Sequence, residues 1–286
     1  MSALIQLSTE LTRRRLNLAG FRSRWVQTTS GRMHWLDASG RGPGPAVVLL
    51  HGLSSSAVHF APILSRLRSV ARRVIAIDLP GHGASDRSSA PLTTEVLWDG
   101  FLRGLDAIEV APFVLVGSSL GGFAAVRYAV RRDQRVRGLV LCSPGGAPLP
   151  GASLTAFKQR FALSRHADGL SFVDAFLAGT PPLLLRHALA WGVRQTMAEP
   201  GIRSLVASVG YGDLLRPEEL SALAPAVYLI WGQADRLLPE SCFRFFEANL
   251  PGDAWIERPV DFGHTPYLEQ PGPFVDRLKT FLRERV

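Results

Sequence analysis

Ser119 stands where a serine could be made into a nucleophile. It is the centre of Gly117-Ser118-Ser119-Leu120-Gly121, directly after the apolar run Val114-Leu115-Val116 and just before a helical stretch at 123–132. Strand, G-x-S-x-G and helix in that order describe a tight turn that lifts one serine clear of a sheet. Gly117 and Gly121 lack a Cβ, so neighbouring backbone can approach closely. The helix that starts there turns unpaired N–H groups and its positive end toward the serine. In this reading Ser119 is the nucleophile and Ser118 a spacer.

A serine hydroxyl attacks poorly until a base takes its proton. Of the seven histidines, His264 is best placed, in Asp261-Phe262-Gly263-His264-Thr265-Pro266 between the last strand and the last helix. His51 and His82 fall in early loops, His59 and His187 on helical stretches, His34 in a hairpin and His166 in a polar segment. The imidazole needs a carboxylate to hold its tautomer. Asp235 follows the run Leu229-Ile230-Trp231-Gly232, while Asp253 and Asp261 are nearer His264 in sequence. Asp261 would have to fold back within its own loop to reach that ring, so Asp235 is preferred. The chain order Ser119, Asp235, His264 is one of the orders in which such a triad occurs. A tetrahedral intermediate also needs N–H donors, each typically contributing about 2.7–4 kcal/mol. Leu120, after the nucleophile, supplies one. Leu53, in Leu50-His51-Gly52-Leu53-Ser54, is the first choice for the other, with Ser54 as fallback.

These residues must be held by a scaffold, and the remaining pattern describes it. Short apolar runs at Ala46–Leu50, Arg73–Ile77, Phe113–Val116, Gly138–Cys142, Ala226–Trp231 and Ala254–Arg258 alternate with helical stretches near 57–69, 92–109, 120–132, 239–249 and 271–284. Strands apolar on both faces, alternating with helices, predict a parallel sheet covered on both sides. A hairpin of Arg24–Thr29 and Arg32–Asp37, turning at Ser30-Gly31, adds an antiparallel edge. Residues 4–19 predict a helix that packs on, or hangs off, the body. Between Pro144 and Pro225 no strand is evident; helical fragments carry apolar stripes, including Phe161, Phe172, Phe176 and Leu189. So long an insert reads as a cap rather than a loop. The expected division is an N-terminal helix at 1–23, a core at 24–145 with 222–286, and a helical cap at 146–221.

Composition narrows the function. Of 32 basic residues only Lys158 and Lys279 are lysines, and the net charge of +8 is scattered apart from Arg13, Arg14, Arg15, Arg22 and Arg24. No nucleic-acid module accompanies it. The N-terminal basic segment leaves open an anionic lipid surface, contact with the cap, or another subunit. No apolar run approaches the ~18 residues of a membrane span. The start MSALIQLSTELTRRR lacks the plan of a secretory signal, so a cytoplasmic setting is expected. Cys142 and Cys242 are read as reduced thiols. No cofactor and no metal is expected: ligand clusters and a dinucleotide fingerprint are missing, and Gly81-His82-Gly83 is too short to be one.

Together, Leu50-His51-Gly52, Asp78-Leu79-Pro80-Gly81-His82-Gly83-Ala84-Ser85, Gly117 to Gly122, Gly232-Gln233-Ala234-Asp235 and Gly263-His264 resemble the α/β-hydrolase superfamily, from residue 24 to the end. The resemblance implies an α/β-hydrolase fold: a mostly parallel eight-stranded sheet flanked by helices, with the cap inserted between strands 6 and 7. It also favours Asp235 over Asp261 and gives Asp78 and the turn after it a structural role.

Relatives that open epoxides or remove halides attack with aspartate at the elbow, whereas this chain has Ser119. The leading expectation is hydrolysis of a small-molecule carboxylic ester with an apolar acyl or alcohol group. One alternative is a carbon–carbon bond hydrolase of dienoic ketone acids: Leu141 to Gly146 and Ile230 to Arg236 are similar to that subgroup, although Thr265 stands where it commonly has tryptophan. Its substrate carboxylate would need an anchor, Arg186 or Arg194; Trp191 is a third candidate substrate contact. A second alternative is a ligand sensor that keeps the triad without turnover.

Overall fold

The computed structural model describes residues 3–87, 91–110, 112–149 and 151–286; Met1, Ser2 and Pro150, within the expected extension and cap, lie outside them. Eight strands form one sheet: β1 (Arg22–Thr28), β2 (Gly31–Ser39), β3 (Ala46–Leu50), β4 (Arg73–Ile77), β5 (Phe113–Ser118), β6 (Val136–Cys142), β7 (Ala226–Ile230) and β8 (Trp255–Glu257). Their order is β1-β2-β4-β3-β5-β6-β7-β8. β1–β2 and β2–β4 are antiparallel and every other pair is parallel, so the expected α/β-hydrolase architecture is present. The hairpin turns one residue earlier than the sequence pattern indicated. Thr28 pairs with Gly31, which leaves Thr29 and Ser30 as the turn, and the Thr28 hydroxyl donates to Gly31 O at 2.6 Å.

Period-two alternation explains why the strands are apolar throughout. Val48, Leu50, Ile75, Ile77, Leu115 and Leu139 face one core, filled by Phe101 and Leu105 of the helix Thr94–Ala107 and by Phe243 and Phe246 of the helix Glu240–Asn249. Val47, Leu49, Val74, Ala76, Val114 and Val140 face the other, filled by Ile63 and Leu64 of the helix Ala61–Leu67 and by Phe274, Val275, Leu278 and Phe281 of the helix Pro271–Glu284.

The segment between β6 and β7 is helical: Gly151–Gln159, His166–Phe176, Leu183–Met197, Pro200–Ser208 and Pro217–Ser221. The second and third of these share a small core of Val173, Leu177 and Ala190. The far end of the segment joins the main core through Leu214, Leu215 and Leu220, and Arg127 faces Glu219 at 3.2 Å.

Strand order places the site. The chain crosses from β3 to β4 on one side and then returns to β5 on the other side of β3, so a crevice opens beyond the carboxyl ends of β3 and β5. Leu50 pairs with Gly117, which sets His51-Gly52 beside Ser118-Ser119.

Candidate active site

Ser119 occupies the link between β5 and the helix Leu120–Arg131 with φ 54 and ψ −118, a region that disfavours any side chain. A residue held there stores about 1–3 kcal/mol of strain unless its surroundings fix it. They do: its N–H donates to Cys142 O at 3.1 Å, and its own carbonyl accepts from Phe123 and Gly145 at 3.1 and 2.9 Å. The glycines on either side are a spatial requirement. A Cβ on Gly117 would lie 2.3 Å from Gly121 O, and one on Gly121 would lie 2.2 Å from Leu50 O. Leu120 opens the helix, where amides have no intrahelical acceptor.

Two histidine–aspartate hydrogen bonds occur among the described residues, and their surroundings separate them. His34 Nδ1 lies 2.7 Å from Asp78, and both side chains are buried. Asp78 also accepts from the Ala57 and Ala84 amides at 2.6 and 2.9 Å, so this pair ties loops together, the structural role expected for it. His264 Nδ1 lies 2.7 Å from Asp235 Oδ2, and His264 borders the same cavity as Ser118 and Ser119. The Asp235 carboxyl lies below the usual carboxylate range. Burial alone would raise it, but the facing His264 and the Leu237 amide outweigh that cost. Asp235 Oδ1 accepts from Leu237 N at 2.9 Å and Leu238 N at 3.3 Å, which leaves Oδ2 for the imidazole. The ring Nε2 is thereby left for a proton from the cavity side.

The loops carrying this pair are stitched to the insert. His264 N–H donates to Phe176 O at 2.8 Å and Arg236 N–H to Ala175 O at 2.9 Å. Glu269 Oε2 accepts the Ala178 amide at 2.6 Å. Burial raises the Glu269 carboxyl against the pull of that amide.

Leu53 borders the cavity, and the turn before it is braced by His51. His51 Nε2 accepts the Leu79 N–H at 3.1 Å, so its proton sits on Nδ1, which donates to Gly52 O at 2.8 Å. Burial, then the neighbouring His82, push His51 down to about 3, so the ring stays neutral. If the Leu53 amide is the oxyanion donor expected from the sequence, freeing this turn by His51→Ala should lower kcat on an activated ester about 10²-fold, the scale of one lost donor, in steady-state kinetics.

The cavity has a volume of about 850 Å³. Phe161, Phe172, Phe176 and Leu189 of the insert form part of its wall. Arg186, Arg194 and Trp191 do not border it. Arg186 is held by Asp174 at 2.8 Å, and Arg194 donates to the carbonyls of Leu163 and Ser164 at 3.3 and 2.7 Å. Ile5 and Thr9 of the N-terminal helix border the cavity unforeseen, since only helical spacing was visible there. Both thiols are buried and free, and burial pushes Cys242 up to about 12 and Cys142 further, so neither competes as nucleophile. No cluster of three or more metal-ligating side chains occurs among the described residues.

Residues 47–277 match the model of a family described as the alpha/beta hydrolase family. A pimeloyl-[acyl-carrier protein] methyl ester esterase of Xylella fastidiosa is 28% identical, over 84% of this chain and 96% of its own. Among solved structures, a bacterial membrane phospholipase A superposes with TM-score 0.81 at 22% identity, covering 99% of this chain and 94% of that one. A 2-hydroxy-6-oxo-6-phenylhexa-2,4-dienoate hydrolase of Rhodococcus superposes with TM-score 0.76 at 21% identity, covering 92% and 99%. At such identities the two superpositions speak for the fold.

Proposed function

Because the chain belongs to the alpha/beta hydrolase family, we propose that it is a serine esterase acting on small carboxylic esters with an apolar acyl or alcohol group. In this reading Ser119 Oγ attacks the ester carbonyl while His264 Nε2 takes its proton. The amides of Leu53 and Leu120 receive the oxyanion. Collapse expels the alcohol, which takes the proton back from His264 and leaves an acyl group on Ser119. Water, deprotonated by the same nitrogen, then releases the acid. Asp235 keeps the imidazole in the required tautomer and stabilises its charged form. The helices of 146–221 serve as a cap over the core of 24–145 and 222–286.

The observation that carries the substrate class is the cavity wall. Apart from the reacting groups it is built largely of Leu, Phe, Val, Ile, Met and small residues. Among the described residues Arg87 is the one arginine bordering it, and it faces Glu199 at 3.5 Å. A dienoic ketone acid would bury its carboxylate, a cost that a cation free to pair with it would offset. Arg186 and Arg194 are engaged elsewhere, so the ester reading is favoured over the carbon–carbon hydrolase. The esterase relative from Xylella fastidiosa acts by name on a methyl ester, which agrees with that choice.

A series of p-nitrophenyl esters from acetate to laurate tests it. kcat/KM is expected to rise at least about tenfold from acetate to the medium-chain esters, since each buried CH₂ contributes about 0.8 kcal/mol. A flat profile, or a preference for acetate, would remove the acyl group from this cavity. Sustained turnover separates the esterase from a sensor, which would stop after one acylation.

A further inference from the structure

The helix Ala3–Leu18 has two apolar faces. On the inner one Leu16 is buried in the main body, and Ile5 and Thr9 border the cavity that holds Ser119. On the outer one Leu4, Leu7, Leu11 and Leu18 are 68%, 56%, 47% and 90% exposed. At 3.6 residues per turn these four fall within a sector of about 60°, with Arg14 and Arg15 about 20° beyond its two edges. Three arginines face a single glutamate on this helix. Glu10 pairs with Arg13 and Arg14, and Arg15 has no ion pair among the described residues.

Four exposed leucines in one row, flanked on both sides by arginine, gain nothing in water. At a lipid interface the leucines enter the acyl boundary while the guanidinium groups reach up to anionic headgroups. The row is charged on both flanks, which keeps the helix at the headgroups rather than within the hydrocarbon core. No described helix is long and apolar enough to cross a membrane. This helix therefore suits lying on a surface. Leu183 and Leu184 are also exposed, at the start of the helix Leu183–Met197, whose Leu189 and Val193 border the same cavity. A second copy of the chain is the competing occupant. Parallel pairing would set Arg14 against Arg14 in the seam, and four leucines fall well short of the roughly 800 Å² per partner of a stable interface.

We propose that the outer face of the helix Ala3–Leu18 docks on an anionic lipid surface, and that the cavity behind it takes an apolar acyl substrate from that surface. The docking stands on the helix alone; the substrate clause rests on the esterase reading. The test is sedimentation of the full chain with phosphatidylcholine vesicles, with and without phosphatidylglycerol, alongside two variants, Leu7→Asp with Leu11→Asp and Arg14→Glu with Arg15→Glu. The wild type is expected to bind the mixed vesicles, less so at high salt and on phosphatidylcholine alone. Each variant is expected to lose at least about tenfold in bound fraction. Turnover of p-nitrophenyl butyrate in solution and the circular dichroism spectrum should be unchanged in both variants, since these side chains do not border the cavity that holds Ser119. Equal binding by wild type and variants, or no binding by the wild type, overturns the docking. So does a dimer in solution that the leucine variant converts to monomer, which would give the face to a second copy. Vesicle binding without turnover of any ester would sink the esterase reading and leave the docking in place.

Discussion

Ser119→Ala is expected to lower ester turnover by on the order of 10⁴–10⁶-fold, the range seen when a triad nucleophile is removed and binding groups remain. The variant keeps the Cβ, so the backbone at φ 54 carries the same strain and the same three hydrogen bonds. Its thermal midpoint should therefore stay close to that of the wild type. The loss should fall on kcat rather than on ligand binding, because the cavity wall is untouched. Turnover surviving at more than about a hundredth of the wild-type rate would mean that another group attacks. Neither Cys142 nor Cys242 is placed for that, both being buried with raised pKa values.

Asp235→Asn is expected to cost about 10⁴-fold in kcat with the fold intact. The reason is the fixed division of labour between its two oxygens. Oδ1 is pinned by the Leu237 and Leu238 amides, so the asparagine carbonyl must take that place. Its NH₂ then faces His264 Nδ1, 2.7 Å away in the wild type, and can only donate. The imidazole must turn its lone pair to Nδ1 and carry its proton on Nε2, where it can no longer accept one from Ser119. The variant should recover partly at high pH, where deprotonated species supply a base, and the pH–rate profile shows this.

The same carboxylate has a consequence for acid stability. Its pKa is depressed in the folded state, so it stabilises fully above the unfolded value of about 3.9 and loses that contribution as pH falls through the lower folded value. Asp78, also held down by His34 and by backbone donors against burial, has the same sign. Stability should therefore not fall on their account until the pH is below about 4.

Much of the scaffold was legible because its signals are local. Ala46–Leu50 and Arg73–Ile77 could be bounded to the residue, since a short apolar run in a parallel sheet ends where turn residues begin. The final strand was harder: Ala254–Arg258 pairs only over Trp255–Glu257, because it lies at the sheet edge with one neighbour. Candidate residues in motifs could be located for the same reason. Ser119 and His264 border one cavity, and Asp235 is bonded to His264, although the three are spread over more than half the chain.

What could not be read was any contact between distant segments that leaves no pattern within either. Arg186 and Arg194 looked like anchors for an anion, but Asp174 and two carbonyls of the insert take their donors. Nothing local to Ile5 or Thr9 said that their side of the helix would wall a cavity centred more than a hundred residues away. The basic cluster at Arg13, Arg14 and Arg15 was visible as charge. Its relation to a row of exposed leucines emerged only once Leu16 was seen to be buried on the opposite side.

The measurement that bears most directly on the esterase account is the site of covalent labelling. The protein would be incubated with a fluorophosphonate, digested, and the peptides weighed by mass spectrometry. The account predicts one adduct, on Ser119, formed at a rate that collapses in Asp235→Asn. An adduct on another serine, or full ester turnover with no adduct on Ser119, would contradict it.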